Sequence, residues 1–80
     1  MDNTEKLRKV FASSLGIPET EVVDDLAYGG TKKWDSTAHM VLVSNIEKSF
    51  DIMLDTMDVI DMSSFGKCKE ILLKYGLTFT

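Results

Sequence analysis

Residues 34–50, Trp34-Asp-Ser-Thr-Ala-His-Met-Val-Leu-Val-Ser-Asn-Ile-Glu-Lys-Ser-Phe50, decide the fold. Apolar side chains recur at Leu42, Val43, Ile46 and Phe50, the i, i+4, i+8 spacing of one helical face. The polar pair Asp35-Ser36 stands directly before that run. One of the two is therefore the expected N-cap of a helix that reaches Phe50 and ends near Asp51. Ser36 is then exposed beside the unpaired backbone N–H groups of the first turn. An anion joined to its hydroxyl would gain about 0.3–1 kcal/mol from those groups and the helix dipole, and a phosphodiester suits such a place.

Working upstream, Leu7, Val10, Phe11 and Leu15 share a face and predict a helix from Asn3 to Leu15, with Asn3 or Thr4 as cap and Gly16 as terminator. Ile17-Pro18 blocks its continuation, because proline lacks an N–H and restricts the residue before it. Between Ile17 and Trp34 no period is sustained. Val22, Val23, Leu26 and Tyr28 are scattered apolar anchors there, and Gly29-Gly30 marks a turn. So long a connection in so small a domain is usually functional.

Working downstream, Asp55 to Met62 is expected as a short third helix with an acidic outer side at Asp55, Asp58 and Asp61. Ser63-Ser64 offers the next cap, and Phe65, Cys68, Leu72 and Tyr75 form the face of a fourth helix closing at Gly76. Gly66 in its first turn costs up to about 1 kcal/mol against alanine and predicts a fraying start. Leu77 to Thr80 is expected to be a loose tail. The stripe Phe11, Leu42, Ile46, Phe50 and Leu72 is the expected core. The expectation is one all-α domain over residues 1–80, a bundle of three main helices and one short helix.

The chain has 80 residues and a net charge of −4, which limits it to a modest core with little room for an enclosed enzyme pocket. No Lys/Arg cluster exists beyond Lys32-Lys33, so nucleic acid is not an expected partner. The single cysteine, Cys68, excludes an internal disulfide, and with one histidine it cannot supply a structural zinc site. It is expected in the core. Without an apolar run near 18 residues or a leader pattern, a cytoplasmic protein away from the membrane is expected. Gly29-Gly30-Thr31-Lys32 lacks the spacing of a phosphate-binding loop, and the Asp51 to Asp61 carboxylates lack the glycine and terminal glutamate of a calcium loop. Asp35, Ser36 and His39 invite comparison with a hydrolytic triad. That chemistry also needs an oxyanion hole and a pocket, so no catalytic residue and no enzyme is expected.

Asp35-Ser36, followed by Leu42, Ile46, Glu47 and Phe50-Asp51, and preceded by a helix ending Leu15-Gly16 and a long loop with Tyr28 at an aromatic position, resembles an acyl carrier protein. The resemblance covers nearly the whole chain and needs no gap from Leu15 to Phe65. It implies that a phosphopantetheinyl transferase, using coenzyme A, attaches a covalent 4′-phosphopantetheine arm to Ser36. The arm's thiol would hold an acyl group as a thioester. Tethering of this kind raises the effective concentration of cargo at each partner enzyme. The resemblance also makes Asp35 an acidic neighbour that helps the transferase bind its metal, and it puts His39, one turn after Ser36, within reach of the arm's phosphate.

Several positions depart from the family pattern. Thr37 replaces a hydrophobic residue, and Thr31-Lys32-Lys33-Trp34 replaces an acidic-Leu-Gly run. Ala38 and Val41 stand where carriers of primary fatty acid synthesis show acidic residues. Met40, Val41 and Ser44 instead make a partly apolar outer strip, and exposed patches of that kind usually meet proteins. With Thr37, Asp55 and Asp58 they form the expected partner surface, and Trp34 is expected either to join it or to cover the edge of the core. The implied role is a monomeric, discrete carrier serving acyl-loading and acyl-transferring enzymes of a dedicated pathway such as polyketide, lipid or surface-sugar acylation. An aminoacyl or peptidyl carrier would share the arm. An unmodified helical interaction domain, binding through the acidic third helix or the Met40/Val41 strip, would not.

Overall fold

Leucine and phenylalanine at helical spacing build the first element of the computed structural model, which describes residues 3–79. Helix α1 (Asn3–Leu15) buries Leu7, Phe11 and Leu15 along one side. It ends as the glycine predicts: Gly16 takes a left-handed φ of 69°, and the N–H groups of Gly16 and Ile17 both donate to the Ala12 carbonyl. Asn3 and Thr4 are both helical, so neither stands before α1 as its cap. The Asn3 side-chain amide donates instead to the Thr78 carbonyl, at 3.0 Å.

Helices α2 (Ser36–Phe50), α3 (Thr56–Asp61) and α4 (Phe65–Leu73) complete an all-α bundle, with a short 3-10 turn at Glu19–Glu21. Among the described residues the β pairing is a single isolated bridge between Ala27 and Ser64. Among the described residues no helix is long and apolar enough to cross a membrane. Helix α2 stops at Asp51, whose left-handed φ of 55° lets the Asp51 and Ile52 N–H groups return to the Glu47 carbonyl. Aspartate tolerates that conformation better than most side chains, so no glycine is needed there.

The core centres on Phe11, whose ring meets Trp34 edge-on at 5.5 Å and Phe65 at 4.9 Å. Leu42 and Ile46 from α2 and Cys68, Ile71 and Leu72 from α4 close around it, with Phe50 at the edge. Burial pushes the Cys68 thiol up to about 12, so this cysteine is a small apolar core residue.

The long connection between α1 and α2 is anchored at both levels of the backbone. Val22 is buried, and its carbonyl accepts from Arg8 Nε. Further on, Gly66 N–H donates to the Asp24 carbonyl, Phe65 N–H to Leu26, and Tyr28 N–H to Ser63. These bonds lash the connection to the start of α4, and Lys69 pairs with Asp24 at 2.7 Å. The α4 N-terminus is therefore tied down despite its glycine: Ser64 caps it by accepting from Lys67 N–H, and the Gly66 N–H reaches the Asp24 carbonyl.

Two other expectations are corrected. Leu77 and Phe79 pack against the core, and Phe79 meets the Phe50 ring, so residues 77–79 are not a loose tail; Thr80 lies outside the described residues. Asp58 does not belong to an acidic outer side, since only 7% of its surface is exposed. Its carboxylate accepts from Lys74 Nζ and from the Tyr75 hydroxyl, both at 2.6 Å. Tyr75 in turn accepts from the Asp55 N–H, so Asp55 and Asp58 are both tied to the residues that follow α4. The bond from Lys74, and then the one from Tyr75, hold the Asp58 carboxyl below the usual carboxylate range.

Candidate functional site

Asp35 is the N-cap of α2: its backbone is extended, and Oδ1 accepts from Ala38 N–H at 2.9 Å. That bond leaves Ser36 at the first helical position, exposed, with its side chain free of any capping duty. The N–H groups of Ser36 and Thr37 precede the first intrahelical acceptor and face outward. The exposed Asp35 carboxylate adds a negative charge one residue away.

The connection comes back to this point through a turn over residues 27–30. Gly30 N–H donates to the Ala27 carbonyl, and Gly29 holds a left-handed φ of 81°, a position where glycine is favoured. The turn delivers Tyr28, whose hydroxyl lies 3.1 Å from Ser36 Oγ. Its ring packs edge-on against Trp34 and His39, with centroids 6.2 and 5.6 Å away.

His39 has no free nitrogen. Its Nδ1 accepts from Trp34 Nε1 at 3.0 Å, so Nε2 carries the proton and donates to the Val59 carbonyl at 2.9 Å. The ring also stacks on Trp34 at 24°. A relay of two hydrogen bonds thus runs from the core, through α2, to α3. The phosphate contact expected of His39 would break one of these bonds, and Trp34, 1% exposed, covers the core and presents no partner surface.

Beside Ser36 lies a groove of about 350 Å³ between α2 and α3. Tyr28, Ser36, His39 and Ser63 supply its polar wall, and Met40, Val59, Ile60 and Met62 its apolar one. Met40 and Ile60 are 62% and 68% exposed, so the apolar lining continues onto the surface. A larger hollow of about 800 Å³ between α1 and α2, edged by Lys6, Lys9 and Lys48, contains none of the candidate residues.

The remaining candidates fall as follows. Thr37, Val41, Ser44 and Asp55 are exposed with Met40, whereas Asp58 is buried in its network with Lys74 and Tyr75. Among the described residues no cluster of three or more His, Cys, Asp or Glu is placed to hold a metal ion. Tyr28, Val59 and Ile60 border the site although nothing in their spacing announces it: a turn and a tertiary contact bring them there. The exposed Met57, one helical turn before Ile60, extends the apolar side of α3.

Compared with known proteins, the chain matches no family model, and no curated protein matches it at a significant level.

Proposed function

We propose that this protein is a discrete, cytoplasmic acyl carrier in which Ser36 bears a 4′-phosphopantetheine arm. One observation carries the proposal: an exposed serine stands at the first position of α2, free of capping duty, at the mouth of an apolar-lined groove. An external enzyme can reach such a hydroxyl, and first-turn N–H groups favour the phosphodiester it would carry. The resemblance to acyl carrier proteins in the Asp35-Ser36 pair and the helix order supports the same reading.

In the attachment step Ser36 Oγ attacks the phosphorus of coenzyme A that bears the pantetheine. The new Oγ–P bond replaces the pyrophosphate bridge, and adenosine 3′,5′-bisphosphate leaves. Among the described residues the Tyr28 hydroxyl is the group in hydrogen-bond contact with Oγ and is no strong base, so on this reading the serine proton passes to a group of the transferase. Asp35, exposed and adjacent, is available to the transferase's metal. When bound, the arm supplies the thiol on which cargo is carried as a thioester; the chain itself performs no acyl chemistry.

The test is the intact mass of the protein after incubation with coenzyme A, magnesium and a broad-specificity phosphopantetheinyl transferase, with Ser36→Ala beside it. Addition of one phosphopantetheine to the wild type alone is the expected result. A folded wild type that gains no mass with that enzyme or with the transferase encoded nearest its gene points to an unmodified interaction domain. Loading assays with adenylating enzymes then separate acyl from aminoacyl or peptidyl cargo.

A further inference from the structure

Tyr28 is the side chain that meets the attachment hydroxyl, and three features hold it there. Its N–H donates to the Ser63 carbonyl at 2.9 Å, next to the Ala27–Ser64 bridge. The turn at Gly29 fixes the direction of the chain on its far side. Its ring packs edge-on against the stacked pair Trp34 and His39. Both of those neighbours spend their polar hydrogens elsewhere, Trp34 on His39 and His39 on Val59. The Tyr28 hydroxyl, the side-chain group in hydrogen-bond contact with Ser36 Oγ, can therefore turn to a new acceptor without breaking the relay.

In the unmodified protein either hydroxyl can donate across the 3.1 Å separation. Esterification of Ser36 removes its proton, so afterwards only Tyr28 has one to give. A phosphodiester at Oγ presents anionic oxygens one bond farther out, and a hydrogen bond to an ionised acceptor is roughly twice as strong as a neutral one. Resting on the reading of Ser36 as the attachment point, we infer that Tyr28 is a positioning residue for the arm. Its O–H donates to the phosphodiester and directs the first atoms of the arm along the groove between Met40 and Ile60. No covalent step is involved.

The experiment compares wild type and Tyr28→Phe, both loaded as above and checked for equal helicity and melting. The phenylalanine keeps the ring contacts and removes only the hydroxyl. The readouts are the phosphorus resonance and the NMR cross-peaks from the gem-dimethyl group of the arm to the methyls of Met40 and Ile60. In the wild type the phosphorus resonance should differ from that of a short peptide carrying the same modified serine, and the cross-peaks should be present. In Tyr28→Phe the resonance should move to the peptide value and the cross-peaks should weaken by about tenfold or more, the population change that losing one hydrogen bond to a charged acceptor produces. Identical spectra from two modified proteins overturn the positioning role and leave the carrier reading intact. Failure of the wild type to accept the arm overturns both. A Tyr28→Phe protein that resists modification while the wild type accepts it moves the role of Tyr28 to the unmodified protein and overturns the inference as stated.

Discussion

Replacing His39 by alanine removes two hydrogen bonds and a stacked ring at once, and the three losses differ in size. Trp34 is 1% exposed, so its indole N–H, now 3.0 Å from Nδ1, would lose its acceptor inside the core. A buried donor left unsatisfied costs about 1–3 kcal/mol. The Val59 carbonyl opens onto the groove, so water takes the place of Nε2 at small net cost. Loss of the stacked contact, with centroids 6.0 Å apart, adds about 0.5–1.5 kcal/mol. The expected destabilisation is about 2–4 kcal/mol, against a total of roughly 4–12 kcal/mol for a domain of this length. It would lower the melting temperature by about 4–8 °C for each kcal/mol. Urea unfolding followed by circular dichroism at 222 nm measures it. Trp34→Phe removes the donor itself, so His39→Ala should cost about 1–2 kcal/mol less in that background than in the wild type. Additivity of the two substitutions within about 0.3–0.5 kcal/mol would refute the relay.

Three further expectations concern single positions. Asp58 has a lowered folded pKa, so the unfolded chain takes up its proton more readily; the carboxylate's contribution is present above the ordinary value near 3.8 and is lost as pH falls through the folded one. The stability gap between wild type and Asp58→Asn should therefore narrow on acidification below about pH 4, and a constant gap in melting temperature would count against the Lys74–Asp58–Tyr75 clamp. Gly66→Ala should raise stability by about 0.5–1 kcal/mol in urea titration, because the new Cβ would sit 3.4 Å from the Asp24 carbonyl in ordinary contact; a loss would mean that this approach tolerates no side chain. Asp35→Ala should cost about 1 kcal/mol while Ser36→Ala leaves melting nearly unchanged, and the reverse order would transfer the cap to Ser36.

Period and punctuation made the helices legible. The 3.6-residue spacing of Leu42, Ile46 and Phe50 and the caps at Asp35 and Ser64 correspond to observed elements, as does the stop at Gly16. What local pattern cannot carry is the far side of a contact. Asp58 has the exposed-looking spacing of Asp55 and Asp61, yet Lys74 and Tyr75, 16 and 17 residues away, draw it inward. Leu77 and Phe79 have no helix to declare their face and still find the core. Gly66 looks like a weak point of its helix, and only the fold shows its N–H bonded to the Asp24 carbonyl of the connection. At the site, Ser36 and Asp35 announce themselves through the cap, whereas Tyr28 reaches Ser36 only because a turn folds the connection back.

The burial of Trp34 and Asp58 bears on how the proposed carrier would meet its partners. Asp58 is buried and paired with the exposed Lys74, which leaves Asp55 and Asp61 as the exposed carboxylates of the α3 segment. Beyond the exposed polar neighbours Asp35 and Thr37, the groove beside Ser36 is bordered by exposed apolar side chains, Met40 and Ile60, with Val41 and Met57 exposed on the same two helices. Charge steering acts at long range and weakens with salt, whereas apolar contact acts only once surfaces touch. On the proposed reading, recognition by partner enzymes then depends on fit to the methionine-lined rim of the groove more than on attraction to an acidic helix. Methionine suits such a rim, because its unbranched side chain repacks against differently shaped surfaces. On that reading one carrier would serve a loading enzyme and a transferring enzyme in turn, with the proposed arm fixed at the same serine between visits.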